Sequence, residues 1–272
     1  EAVAEGGVAV TVHAFPTDDA DHAETPREAY QHVGAVLRHF AELLGKQPED
    51  LKIYDPFFCT GAVRRNLAAE GFPHIHNENE DFYRVQREKR VPEHDVVVTN
   101  PPYSADHVPR LLKWAVKNGK PWIILVPNYV YMKDYYQPSL GNCKPIYLCP
   151  PGRYTYESPK GVADATGKIR KSGEHKTAPF VSFWYMDPRP LVDGKELFKW
   201  WKSSGQEKTH GCTLASGVEH LPGNMRDSFD PMRKRLPKHL RRQQKKTQHA
   251  DGRKLCKQCG QIWGNCKHTK EA

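Results

Sequence analysis

Asn100-Pro101-Pro102-Tyr103-Ser104 follows directly on Asp95-Val96-Val97-Val98-Thr99. The second stretch is short and β-branched, the composition of a buried strand. Two prolines fix φ, and the first also restricts Asn100. A rigid backbone results that donates nothing at Pro101 and Pro102 but still presents carbonyl oxygens. An amide side chain, a carbonyl and an aromatic ring therefore converge, which is an acceptor pair beside a stacking face. Such a pair suits a planar NH2 group. The plain alternative is a Pro-rich turn with a capping Asn. Forty-five residues upstream, Tyr54-Asp55-Pro56-Phe57-Phe58-Cys59-Thr60-Gly61 forms a second candidate. It lies between a strand and a helix, where a Gly permits close approach to a ligand. Near the carboxyl end, Cys256-x2-Cys259-Gly260 and Cys266-x-His268 supply four ligands suited to a tetrahedral zinc ion. The short Cys-x-His spacing makes this a knuckle-like variant; the alternative is unpaired thiols in a tail. No Ser/His/Asp arrangement or two-carboxylate spacing competes for a catalytic role.

The elements that must position these residues alternate. Residues 1–24 lack a pattern and read as a loose, flexible arm. Thr25-Pro26-Arg27-Glu28 predicts a helix start, with Thr25 as cap and Glu28 three residues on. Tyr30, Val33, Leu37, Phe40 and Leu44 continue it at helical spacing, and Gly45 ends it. A strand at 51–54, a helix to about Glu70, a strand at 74–77 and an acidic turn at 78–81 follow. Then come the strand 95–99, a helix over 106–117 and a buried strand at 123–126. The stretches 145–148 and 180–186 read as an antiparallel edge pair, separated by a Gly/Lys/Ser-rich loop that is a lid or a plain solvated loop. Trp200 and Trp201 read as packing residues. The pattern predicts an open α/β sheet, mostly parallel, with an antiparallel edge hairpin. Ligands of such sheets bind outside the carboxyl ends of the strands, where the motifs fall.

Charge divides the chain. Of 41 Lys/Arg and 32 Asp/Glu, residues 233–272 hold 13 and 2, so the tail carries +11 of the net +9 and the rest carries −2. Arg233, Lys234, Arg235, Lys238, Arg241, Arg242, Lys245 and Lys246 form a run without an acidic residue. Such a run suits a polyanion, and binds phosphates without choosing sequence. A solvated tail or an import signal is the bland alternative. The seven cysteines are odd in number and argue against a secreted disulfide scaffold. The chain opens acidic and Gly/Ala-rich, unlike a secretory leader, and no apolar run approaches membrane-span length. An intracellular location, nucleus or cytoplasm, is expected.

Asn100-Pro101-Pro102-Tyr103 after a buried strand resembles the catalytic motif of class I S-adenosylmethionine-dependent N-methyltransferases, especially the adenine-N6 enzymes. Asp55-Pro56-Phe57-Phe58-Cys59-Thr60-Gly61 resembles their cofactor loop, with Cys59 where the first Gly usually stands. Glu80-Asp81-Phe82-Tyr83 resembles their acidic-aromatic segment. By that resemblance Asp81 accepts from the cofactor's adenine amino group and Phe82 packs on its ring, with Asn77 or Glu78 nearest the ribose. Pro151-Gly152-Arg153-Tyr154 and Ala178-Pro179-Phe180-Val181-Ser182 resemble the closing strand pair of phage-type Dam adenine methyltransferases. The resemblance spans about residues 25–190 and implies a Rossmann-like class I methyltransferase fold. The expected organisation is an arm at 1–24, a methyltransferase domain at 25–205, a basic linker at 206–252 and a small zinc-binding module at 253–272. The implied activity is methyl transfer from S-adenosylmethionine to the N6 amine of adenine in RNA or DNA. Hydrogen bonds to Asn100 and the Pro101 carbonyl would hold the amine while Tyr103 stacks on the base. Single-stranded substrate, or a flipped base, is expected. Protein-glutamine methyltransferases share the tetrapeptide and remain an alternative, as does a non-catalytic nucleic-acid binder of methyltransferase fold.

Overall fold

The structure is a computed structural model that describes residues 2–3, 9–10, 15, 23–157, 175–177 and 180–226. Its centre is a seven-stranded mixed sheet. In chain order the strands are β1 (Ile53–Tyr54), β2 (Ile75–His76), β3 (Val96–Thr99), β4 (Trp122–Pro127), β5 (Ile146–Cys149), β6 (Ser182–Asp187) and β7 (Thr213–Ala215). Their spatial order is β7-β5-β6-β4-β3-β1-β2. The four strands from β2 to β4 are parallel; β6 is antiparallel to both its neighbours, and β7 is antiparallel to β5. Two short antiparallel pairs stand apart from this sheet, Ala2–Val3 with Ala9–Val10 and Thr155–Glu157 with His175–Thr177.

Helices cover both faces, so the central strands are apolar throughout. Ile123 and Leu125 of β4 point to one side with Val96 and Val98 of β3; there they meet Val33, Leu37 and Phe40 of α1 (Arg27–Leu43). Trp122, Ile124 and Val126 point to the other side, with Val97, and meet Leu111, Leu112 and Ala115 of α4 (His107–Asn118). Between these helices in the chain lie α2 (Ala62–Ala68) and α3 (Phe82–Arg87). Beyond them come α5 (Tyr136–Leu140), α6 (Gly194–Ser203), α7 (Gln206–His210) and α8 (Gly223–Arg226). No helix among the described residues is long and apolar enough to cross a membrane.

Three expectations need correction. The pair 145–148 and 180–186 is antiparallel as expected, with Trp184 opposite both Leu125 and Leu148, but it is not the edge of the sheet: β7 pairs on the outer side of β5. All six β6 residues are buried, which an inner strand requires. The sheet does not stop at 205 either. β7 lies in the stretch assigned to the linker, and the compact unit runs to residue 228. Three residues are too few to show alternation, so the sequence carries little strand signal there. Finally, Thr25 does not cap α1. Pro26 occupies the cap position without a side-chain bond, because the Thr25 hydroxyl is engaged elsewhere. The basic run 233–246 and the four proposed zinc ligands lie outside the described residues.

The edge strand gives a direct test. Leu214 is 1% exposed and packs with Trp201 and Leu148 in one core. Leu214→Ala is expected to cost about 2–4 kcal/mol in urea unfolding. A loss below about 0.5 kcal/mol, the size of an ordinary surface change, would mean that this strand does not belong to the cooperative core.

Candidate functional site

Asp55 leaves the carboxyl end of β1 and Asn100 that of β3, so two neighbouring parallel strands deliver both motifs to one rim. A hydrogen bond ties the strand ends together: Thr99 Oγ1 donates to Asp55 Oδ1 at 2.6 Å. The same carboxylate oxygen accepts from the Phe57 backbone N–H at 3.1 Å, closing the turn after β1. Asn77, at the end of β2, is fully buried beneath that turn. Its Nδ2 donates to the carbonyls of Asp55 and Phe57 at 3.1 and 3.3 Å. Its Oδ1 is buried and has no partner among the described residues. Asn77 thus braces the loop, while the side chain of Glu78 pairs with Arg64.

The rest of the turn depends on backbone shape. Gly61 stands at φ +82°, where a Cβ would also meet the Phe58 ring at 3.4 Å. The positive φ is what favours glycine there, since 3.4 Å is an ordinary contact distance. The Thr60 N–H donates to Glu24 Oε1 at 2.8 Å, and the Thr60 hydroxyl bonds the same oxygen. The end of the supposed loose arm is therefore fastened to the turn, because its exposed donors need an acceptor. Burial, with the Glu24 carboxylate alongside, pushes the Cys59 thiol far up, so it is a protonated filler and not a nucleophile.

Asp55 is 5% exposed. Burial raises its carboxyl to about 7; the Thr99 and Phe57 hydrogen bonds oppose that rise, and the Glu24 carboxylate adds to it. Tyr54, Asp55, Pro56, His76, Glu78, Glu80, Phe82 and Val85 line a small recess beside the turn. Asp81 caps α3, accepting from the Tyr83 N–H at 2.9 Å, so it is held rigidly at the recess's helix. Phe82 is buried edge-on to Phe57 and Trp114, with ring centroids 5.2 and 5.0 Å apart. Local pattern alone shows Glu80 and Asp81 as an acidic turn, because the helix α3 behind them is too short to reveal its period.

Around Asn100 the structure gathers residues the motif does not contain. Asn100 Nδ2 donates to Thr25 Oγ1 at 3.0 Å, and the Tyr103 hydroxyl donates to Asn100 Oδ1 at 2.6 Å. Pro101 is buried and Pro102 half-buried. Burial holds the Tyr103 phenol well above its ordinary pKa, so it remains a donor. Tyr103 and Tyr129 each meet Phe180 in edge-to-face geometry, each pair 5.7 Å between centroids. Tyr103, Tyr129 and Phe180 are all half-buried, which leaves a partly open aromatic group beside the amide. Thr25, Tyr129 and Phe180 come from three distant segments. Their only signal is position: Tyr129 and Phe180 flank the facing ends of β4 and β6.

The recess has no lining Lys or Arg, but Glu78 pairs with Arg64 and Glu80 with Arg90, the latter at 3.0 Å. Among the described residues Asp55 is therefore the lining carboxyl group without a cationic partner, and the one that would face the sulfonium or ammonium of S-adenosylmethionine. The left-handed backbone at Gly61 lets the turn present main chain at the rim, and the Asn77 oxygen lies buried beneath it without a partner among the described residues. Among the described residues no group of three or more His, Cys, Asp or Glu is placed to hold a metal. No protein-family model matches the sequence, and no curated protein matches it.

Proposed function

We propose that this chain transfers a methyl group from S-adenosylmethionine to the N6 amine of adenine in RNA or DNA. The observation that carries the reading is the Asn100 carboxamide, held at a strand end one strand away from the Asp55–Gly61 turn and roofed by aromatic rings. The cofactor, when bound, supplies an electrophilic methyl on sulfur. The chain's own residues then have three tasks. The Asp55 turn, the recess lined by Glu78, Glu80 and Phe82, and Asp81 beside it at the start of α3 orient that methyl. Asn100 Oδ1 and the Pro101 carbonyl accept hydrogen bonds from the target NH2. Those bonds draw the nitrogen toward tetrahedral geometry, so its lone pair can point at the methyl; most of the effect is positioning. Tyr103, Tyr129 and Phe180 offer faces and edges for a planar base that has left its stack.

The same amide could hold a glutamine side chain. The basic run from Arg233 to Lys246 favours a polyanion instead, since each neutralised phosphate releases counterions. In this reading Cys256, Cys259, Cys266 and His268 hold a structural zinc in the tail. Labelled S-adenosylmethionine incubated with RNA, DNA and protein pools is the test. N6-methyladenosine or its deoxy form is expected in the nucleic-acid fraction by nucleoside mass spectrometry. Label confined to protein would move the assignment to glutamine, and no label anywhere would remove the catalytic reading.

A further inference from the structure

The Asn100 carboxamide is gripped at both ends, and the two bond lengths tell the ends apart. The 2.6 Å contact with the Tyr103 hydroxyl has the length of an O–H···O bond and is shorter than N–H···O bonds run. The 3.0 Å contact with Thr25 Oγ1 has the usual N–H···O length. Thr25 is itself fixed. It is 5% exposed, and its carbonyl accepts from Asn66 Nδ2 at 3.3 Å.

A carboxamide turned by half a circle keeps its shape and reverses its polarity. Turned the wrong way, Asn100 would meet a target amine with NH2 against NH2. Turned as it stands, its oxygen has two acceptor sites. Tyr103 uses one, and the other has no partner among the described residues. A second acceptor position on an oxygen already polarised by a phenol is what an incoming amine needs.

We propose that Thr25 and Tyr103 form a clamp that keeps the Asn100 oxygen, not its NH2, available to the target amine. Thr25 is thereby a positioning residue for methyl transfer, contributed by the segment ahead of the first helix. This rests on the methyl-transfer reading given above. Tyr103 has two separable parts: a ring that borders the base, and a hydroxyl that sets the amide.

The full chain is tested as wild type, Thr25→Val, Thr25→Ser and Tyr103→Phe. Valine matches threonine in shape without the hydroxyl, serine restores the hydroxyl, and phenylalanine keeps the ring. The substrate is a mixed-sequence single-stranded oligonucleotide pool. Thr25→Val and Tyr103→Phe are expected to lower kcat about 10–100-fold, the order expected for a misplaced reacting group. KM, and the Kd for S-adenosylmethionine by calorimetry, should stay within about threefold, since Thr25 touches neither ligand and Tyr103→Phe keeps the ring that borders the base. Thr25→Ser should recover most of kcat. Independently, the side-chain NH2 resonances of Asn100 should shift in Thr25→Val and exchange with solvent faster. A Thr25→Val kcat within twofold of wild type overturns the clamp, as do unmoved Asn100 resonances. If wild type transfers no methyl group to any pool, the methyl-transfer reading falls while the resonances still decide the clamp.

Discussion

Asn100→Ala lowers kcat for methyl transfer by about 10²–10³, while the affinity for S-adenosylmethionine stays within a few-fold. The magnitude is that of removing one preorganised polar partner from a reacting group. An amine conjugated to a purine ring is a weak nucleophile, and the amide oxygen acts on it only as the nitrogen pyramidalises. The loss therefore falls on kcat, the mark of an interaction made in the transition state. Alanine also leaves the Thr25 and Tyr103 hydroxyls without their amide partner. Folding stability should drop by about 1–3 kcal/mol as a result. Asn100→Asp separates the two effects, since a carboxylate still accepts from Tyr103 and from an amine. It should retain far more activity than alanine. Single-turnover rates at saturating cofactor make the comparison. Equal rates for wild type and Asn100→Ala would take the amine-holding role away from this residue.

Asp55→Asn should change both the pH dependence of stability and the binding of a cation. In the folded protein burial lifts the Asp55 carboxyl to about 7, against about 3.9 in an unfolded chain. Between about pH 4 and 7 the folded state thus keeps a proton that the unfolded chain has released. Stability declines as pH rises through that window and levels off above it. Asparagine retains an acceptor for Thr99 and Phe57 but never charges. At pH 5, about one unit above the unfolded value, the variant should already be more stable by about 1.5 kcal/mol. At pH 8 the variant should be more stable by about 2–4 kcal/mol, from a shift of about three units. Urea unfolding at both pH values measures this, and equal stability at pH 8 would show that Asp55 titrates near its ordinary value. Ligand binding should move the other way. An ionised Asp55 beside Glu24 favours a sulfonium or ammonium, so wild-type affinity for S-adenosylmethionine should rise as pH passes 7. The variant should bind at least about tenfold more weakly at pH 8 and lose that slope.

Much of the rim was legible because its signals are local. A β-branched run before Asn-Pro-Pro, and a Gly closing a turn after a strand, report on their own backbone. What escaped depends on partners far along the chain. Thr25 beside Pro26 and Glu28 has every mark of a helix cap, and loses that role only because Asn100, 75 residues away, takes its hydroxyl. Glu24 resembles any residue of a polar arm until Thr60 is beside it. Asn77, one of two residues that the resemblance sets nearest a ribose, spends its amide nitrogen on the loop carbonyls. Strand order was hidden for a related reason: hydrophobic pattern tells that β5 and β6 are buried, but not which of them reaches β4.

That order has a consequence for how the chain is made. β5 leaves the ribosome before β6, yet β6 alone bridges it to β4. Until residue 187 has emerged, β4 and β5 each present an open edge of unpaired backbone, and no contact between them can close the sheet. Tyr185 then hangs the β4 rim from the late strand, its hydroxyl donating to the carbonyls of Pro127 and Asn128, each at 3.3 Å. The parallel half can collapse onto α1 and α4 early in synthesis, whereas the aromatic wall beside Asn100 waits for a strand more than fifty residues further on. Nascent chains stalled before β6 should therefore be the species that chaperones hold and that aggregate if released.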